Sequence, residues 1–412
     1  MRLIGIILLG LARLSALVGL LAAGAWSFRV AVADHLARVS TSAALQQAIA
    51  WCPIQSQHYI RLAAIVSDAD PVGAMQLLQR SVELNPLDSR TWIELGLRRE
   101  INGDLAAAEY DLLHAAEIDR QYLPRWTLTN FYFRRGDVTH FWQWARKAVS
   151  ILQGDPSALF RLCGEVAKGE NLIERLSVGN ADIRAYYLVY VLAQNQTRLI
   201  YPVAQRIGID GRQSDVALLL TACDRLLQMQ NVEQASLVWN VLAASRRIPH
   251  RVLTSALGAN SVTNGTFSLA PSSHGFDWRT PDIGGIGTVR EDEAGGLRLT
   301  FSGKQPESCS PLSQFISVRE NALYFLEYVY TTLGLSEPSG LSWNIEYTDA
   351  IQASKTTADV PTSQSEESRR IYFRTPPRCH LVRLDLEYRR APGTVRRAGR
   401  MVLKQVLLHL IG

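Results

Sequence analysis

Apolar spacing changes near residue 255, and no other feature limits the fold as much. Before that point apolar residues recur every three or four positions, in segments dominated by Ala, Leu, Gln and Arg. That is the period of an amphipathic helix. After it come short runs that alternate at period two, such as Leu297-Arg298-Leu299-Thr300-Phe301, separated by Gly, Ser and Pro. That is the period of a half-buried strand. The expected architecture is a helical region over 31–255 followed by an antiparallel β-sandwich over 261–412. A length of 412 residues fits two or three units, and a hydrophobic fraction of 47% fits a folded chain.

The net charge is +5, with basic residues dispersed along the chain. Pairs such as Arg98-Arg99, Arg246-Arg247 and Arg396-Arg397 are too short to be polybasic tails. They read as solvated faces, with contact to an acidic polymer as the lesser alternative. Nucleic acid is not expected as a partner.

Residues 1–30 form the third segment. From Leu3 to Trp26 nearly every residue is apolar or small. At 1.5 Å per residue this run reaches roughly 36 Å, enough to cross a bilayer core of about 30 Å. Arg13 opposes insertion by roughly 2.5–3.5 kcal/mol, which the many Leu and Ile residues can offset. The alternative is a cleaved secretory signal with Leu14 to Leu21 as its apolar core and Ala23-Gly24-Ala25 as the cleavage site. A helix buried in the protein or lying in the membrane surface is a third option. Either of the first two sends the rest of the chain across a membrane.

Five cysteines are present, none spaced for zinc. Cys52, Cys163 and Cys223 lie in apolar helical settings and read as core residues. Cys309 and Cys379 both fall in the β region. An oxidising compartment permits a bridge between them, and two free thiols are the alternative.

The segment from Ser89 to Leu123 carries a helix pair. Trp92, Leu95 and Gly96 make a large-then-small trio on the first helix, and Asn102-Gly103-Asp104 makes the turn. Ala108, Leu112 and Ala115 line the second helix. Small residues at Gly96 and Ala108 let two antiparallel helices approach closely. About 34 residues earlier, Ala74, Leu78 and Ser81 occupy equivalent positions, and Pro86 ends the helix. One period later Trp126, Tyr132, Gly136-Asp137, Ala145 and Ala148 repeat the pattern more loosely. This region resembles the tetratricopeptide repeat (TPR) family, with about three repeats within 55–155 and a less regular helical continuation to about 250. The resemblance implies an α-solenoid whose exposed surface docks a protein partner. A spacer is the plainer alternative.

Strands are expected at Leu297–Phe301, Phe315–Val318, Tyr324–Thr331, Leu341–Tyr347, Arg370–Arg374, Leu381–Arg389 and Met401–Leu410, with a polar loop from Ala353 to Ser368. Asn264-Gly265-Thr266-Phe267, Gly275-Phe276-Asp277-Trp278, the Tyr324 to Tyr330 strand and a closing run of Gly399, Met401, Leu403, Val406 and Leu408 resemble the galactose-binding-like jelly rolls that include carbohydrate-binding modules. The resemblance covers nearly all of 261–412. It implies that Asn264-Gly265-Thr266-Phe267 opens the first strand. Lys404-Gln405 stands where an acidic pair often occurs, so no metal ligands are assigned. Sugar binding calls for aromatic faces and planar polar groups. Trp278, Trp343, Tyr347, Asp277, Arg279, Asn344 and Glu346 are the candidates, against the alternative that the Trp residues are core and Asp277 braces a loop.

Catalytic signatures are absent. No Gly-x-Ser-x-Gly, His-Glu-x-x-His or Gly-Lys-Ser/Thr occurs, and the eight His residues are scattered. Gly284-Gly285-Ile286-Gly287 reads as a turn. Asp277 with Glu346 is a weak candidate for a glycosidase pair. No catalytic residue and no cofactor is assigned. The combination of anchor, repeat array and sugar-binding-like domain resembles accessory proteins of bacterial exopolysaccharide assembly and export. That implies a single-pass inner-membrane protein with its bulk in the periplasm, or a secreted one if the first segment is cleaved. A purely structural protein adaptor and a glycan-acting enzyme are the alternatives.

Overall fold

The computed structural model describes residues 2–152, 154–167, 170–177, 181–254, 256–291, 295–349 and 354–411. It divides into two compact units, Met1–Val166 and Ala167–Gly412.

The first unit is helical: α1 (Arg2–Arg38), α2 (Ser42–Trp51), α3 (Ser56–Val66), α4 (Pro71–Leu84), α5 (Ser89–Ile101), α6 (Leu105–Ile118), α7 (Tyr122–Arg134), α8 (Val138–Val149) and α9 (Ser157–Val166). The part of α1 from Arg13 to Arg38 is long and apolar enough to cross a membrane. Leu14, Leu17, Val18, Leu20 and Leu21 on it are exposed. The same helix then packs: Ala33 and Ala37 are buried with Leu45, Ala48, Cys52 and Leu62. The change from exposed apolar surface to protein core falls inside one helix.

The repeat geometry follows from its turns. Asp70, Asp104 and Asp137 each cap the second helix of a pair, accepting from the backbone N–H of Gly73, Ala107 and His140. Gly103 and Gly136 precede two of those caps at φ 87° and 70°, a conformation that favours glycine. Gly96 sits where α5 meets α6; a Cβ there would lie 2.9 Å from Leu112 Cγ. Leu95, Ala108, Leu112 and Ala115 are buried. Trp92 is only half buried. Its Nε1 donates to the Pro86 carbonyl at 2.9 Å, and its ring meets His114 edge-on. It caps the seam towards the preceding repeat and is not a core filler.

The second unit combines α10 (Glu170–Leu176), α11 (Ala181–Ala193), α12 (Thr197–Asp210), α13 (Val216–Gln228) and α14 (Val232–Ala244) with nine strands. These are β1 (Ile286–Arg290), β2 (Leu297–Ser302), β3 (Ser308–Ser317), β4 (Leu323–Leu333), β5 (Leu341–Tyr347), β6 (Lys355–Asp359), β7 (Glu367–Arg374), β8 (Leu381–Arg389) and β9 (Ala398–Leu410). Two antiparallel sheets, ordered β1-β2-β9-β4-β7 and β3-β8-β5-β6, face each other across one core. The fold is an N-terminal apolar helix, a TPR-like α-solenoid and a β-sandwich of jelly-roll type.

The β region differs from the sequence expectation at β1, where only Gly284 and Gly285 make a turn and Ile286-Gly287 open the strand, and in two further parts. Asn264-Gly265-Thr266-Phe267 is a turn, not a strand; Asn264 and Phe267 both have φ 53°. Gly265 packs so closely on β9 that a Cβ would lie 2.2 Å from the Val406 carbonyl oxygen, and its own carbonyl accepts from the Val406 N–H. Phe267 then plugs the core beside Trp278. Within the expected loop of 353–368, Lys355–Asp359 is strand β6, paired with β5; Ala353 lies outside the described residues. Both β1 and β6 are edge strands.

Helices of the second unit grip the β-sandwich directly. Asp224 on α13 accepts from Arg279 Nη2 at 2.7 Å and from the Gly275 N–H at 2.7 Å. Trp239 on α14 lies flat against His250 and edge-on to Phe276. Gly275 has φ 56° and no room for a Cβ, which would fall 2.5 Å from the Trp239 ring.

Candidate functional site: a polar cleft on the four-stranded sheet

Alternation along β5 and β8 builds the site. Leu341, Trp343, Ile345 and Tyr347 point into the core, as do Val382, Leu384, Leu386 and Tyr388. The residues between them must face outward. Strand register then aligns three rows. One runs Ser313, Asp385, Asn344, Thr357 across β3, β8, β5 and β6. A second runs Phe315, Arg383, Glu346, Lys355, and a third runs Glu387, Ser342, Asp359. Ser342, Asn344, Thr357, Asp359, Lys355, Glu387 and Arg389 line a cleft of about 740 Å³, walled by the 337–341, 360–361 and 390–392 segments.

The side chains in the cleft hold one another in place. Asn344 Nδ2 donates to Glu387 Oε2, and Thr357 Oγ1 donates to Asn344 Oδ1 at 2.6 Å. Glu387 Oε1 accepts from Arg389 Nη2 at 2.9 Å and from Ser308 Oγ at 3.1 Å. Beside the cleft, Arg383 Nη2 lies 3.0 Å from Asp385 Oδ1. Two carboxylates on one strand are thereby driven apart. Burial pushes Asp385 up to about 6 against the pull of Arg383, with Glu346 and Glu387 adding to the rise. Burial also raises Glu387, but the hydrogen bonds from Arg389 and Ser308 and the charges of Arg389 and Lys355 outweigh it, leaving that carboxyl below its ordinary range. The cleft therefore presents fixed donors and acceptors, the groups that match a polyhydroxylated ligand.

Of the sequence candidates, only Asn344 and Glu346 belong to this face. Trp278 and Trp343 are fully buried, their rings 6.4 Å apart in the core. Neither can stack on a sugar. Tyr347 is also core, its hydroxyl bonded to Thr356. Asp277 and Arg279 lie where the sandwich meets the helices. Asp277 is buried, accepts from the Ser272 N–H and lies 3.4 Å from His250 Nε2. Arg279 is paired with Asp224, and its guanidinium covers the Phe315 ring at 4.8 Å. Phe315, the aromatic side chain in the three rows, is thus roofed. Asp277 and Glu346 are not brought together as a glycosidase pair, since one is buried against His250 and the other is exposed on β5.

Cys309 and Cys379 are both free thiols. Cys309 stands opposite Tyr388, while Leu381, just after Cys379, stands opposite Ser317. They occupy opposite ends of the β3–β8 ladder, separated by about 23 Å of strand, whereas a bridge needs Cα atoms within about 7 Å. Among the described residues no group of three or more His, Cys, Asp or Glu converges as a metal site.

Asp385, Glu387, Arg383 and Arg389 escaped the sequence reading, although Leu381–Arg389 was assigned as a strand. Their alternation with Leu384, Leu386 and Tyr388 was the available signal. Lys355, Thr357 and Asp359 escaped because their strand read as loop.

No protein-family model matches the sequence, and no curated protein matches it. Among solved structures, a carbohydrate-binding module, CBM4, is 13% identical, covering 36% of this chain and 99% of the module, with a TM-score of 0.29. The MamA protein is 15% identical over 42% of this chain and 94% of its own, with a TM-score of 0.31. The enzymatically active domain of tailspike protein 4 from bacteriophage CBA120 is 16% identical with a TM-score of 0.27; the match covers 37% of this chain and 21% of the tailspike chain. The fold stands on the chain's own strand order and helix pairs.

Proposed function

We propose that the protein is a membrane-anchored, non-catalytic scaffold of the bacterial cell envelope. Its TPR-like helices dock a protein partner, and its β domain holds a glycan in the polar cleft. Exopolysaccharide assembly or export is the process such a combination serves, with the bulk of the chain in the periplasm. The observation that carries this reading is the network of interlocked planar side chains, Asn344, Glu387 and Arg389, along the cleft. Held in place before a ligand arrives, they lose little freedom on binding. The cleft binds by hydrogen bonds from its strands, without ring stacking.

One observation favours a second reading, in which the β domain is an adaptor for protein alone. The tryptophans that would mark a stacking platform are core. A glycan array probed with the full chain separates the two. Retention of envelope polysaccharide fragments supports the first, and a silent array supports the adaptor. Pull-down from membranes tests the docking role. Recovery of no envelope or polysaccharide component, together with unchanged surface glycan after gene deletion, sinks the scaffold reading.

A further inference from the structure

The outer face of the five-stranded sheet carries what the cleft lacks. Tyr324, Leu326 and Tyr328 on β4, Phe373 on β7 and Leu408 on β9 point into the core. Their strand neighbours face outward, and register puts Tyr372, Phe325 and His409 in one row across β7, β4 and β9. The Phe325 ring lies 5.9 Å from Tyr372 and 4.9 Å from His409. Arg370 sits 5.0 Å above the Phe325 ring and pairs with Glu327 at 3.0 Å. Tyr372 is 59% exposed although packed on one side. β7 ends the sheet, so among the described residues no strand flanks it on the other side.

Arg370, Tyr372 and Arg374 alternate onto the same face, so the ridge from Arg370 to Arg374 is about 13 Å long. Arg374 Nη1 donates to the Asn321 carbonyl at 2.9 Å, and among the described residues no carboxylate is paired with it. The ridge therefore offers a braced aromatic ring flanked by two guanidinium groups, one of them paired with Glu327.

We propose that this Arg370–Tyr372–Arg374 ridge is a second carbohydrate surface, selective for an anionic polysaccharide. A sugar ring lies on the free face of Tyr372, and carboxylates of the polymer meet the flanking guanidinium groups. An aromatic ring braced by its neighbour loses little freedom on stacking, and arginine matches a carboxylate with two parallel donors. The inference rests on the glycan reading for its class of ligand, but not on the cleft.

Affinity electrophoresis of the full chain in nanodiscs, through gels holding polygalacturonate or neutral dextran, tests it. Polygalacturonate is expected to retard the protein, more strongly at low salt, while dextran does not. Tyr372→Ala and Arg374→Gln should each weaken that retardation about tenfold, and Tyr372→Trp should keep it. Circular dichroism checks that each variant stays folded. Absence of retardation, or retardation of both ridge variants as strong as that of the wild type, overturns the proposal. Loss in Asn344→Asp with none in the ridge variants assigns the polymer to the cleft, which overturns the ridge and leaves the glycan reading standing. Self-association of the wild type that disappears in Tyr372→Ala, without any effect of polymer, makes the ridge an interface between copies and also overturns it.

Discussion

Asp277 stays ionised inside the β domain because His250 lies 3.4 Å away. Burial alone would raise its pKa; the hydrogen bond and charge of His250, joined by the backbone N–H groups of Ser272 and Trp278, outweigh that and lower it. Removing one member of such a pair strands the other. His250→Ala should cost about 3–5 kcal/mol, read as a lower denaturant midpoint by tryptophan fluorescence. Asp385 shows the opposite sign. Its pKa in the fold is about 6, above the ordinary value of 3.8. The stability it contributes is fully present below pH about 4 and is lost as pH rises through 6. Asp385→Asn should therefore stabilise the protein by about 3 kcal/mol at pH 7 and by almost nothing at pH 3.5. Unfolding curves at the two pH values check this; equal effects at both would show that the carboxyl is not buried as described. Asp385 thus weakens the fold at neutral pH.

Elements show why some of this was legible in the sequence and some was not. β5 and β8 have the bounds that alternation predicts, because each fills the core with every second side chain. β1 and β6 are short edge strands, Ile-Gly-Thr-Val-Arg and Lys-Thr-Thr-Ala-Asp, with too few apolar residues in alternation for period two to distinguish them from loop. The same period could not say which face of Gly275–Trp278 is core, and both Phe276 and Trp278 are buried. Among the helices, the repeat signal fades after α8 for a local reason. The turns of the later pairs use Asn195 and Gln230 at φ 52° and 60°, where two of the earlier ones use Gly103 and Gly136. Conformation persists while the sequence mark is gone. Two glycines test the packing of elements. Gly96→Ala gains up to about 1 kcal/mol of helix propensity but drives a methyl into Leu112; overpacking of about 1–3 kcal/mol should win, lowering the helical melting midpoint. Gly275→Ala meets both a left-handed φ and the Trp239 ring, so α14 should loosen from the sandwich. Limited proteolysis should then cut between residues 245 and 272 faster than in wild type.

At the scale of the molecule, one helix joins an exposed apolar segment to the repeats. α1 exposes its apolar side chains between Leu14 and Phe28, then buries Ala33 and Ala37 in the first helical core. Whatever holds the apolar part therefore holds the array without an intervening linker. In the second unit the β domain is fastened to α13 and α14 by Asp224, Arg279 and Trp239, none of which lines the cleft on the four-stranded sheet. The central claim is that this cleft recognises glycan through Asn344 and its neighbours. Titration of the full chain with a glycan retained on the array, for wild type and Asn344→Asp, tests it most directly. The substitution keeps the side chain's shape but sets a carboxylate against Glu387. The account predicts at least about tenfold weaker binding, since a hydrogen bond to a charged group becomes a like-charge contact. An affinity unchanged in Asn344→Asp, with the fold intact by circular dichroism, would contradict it.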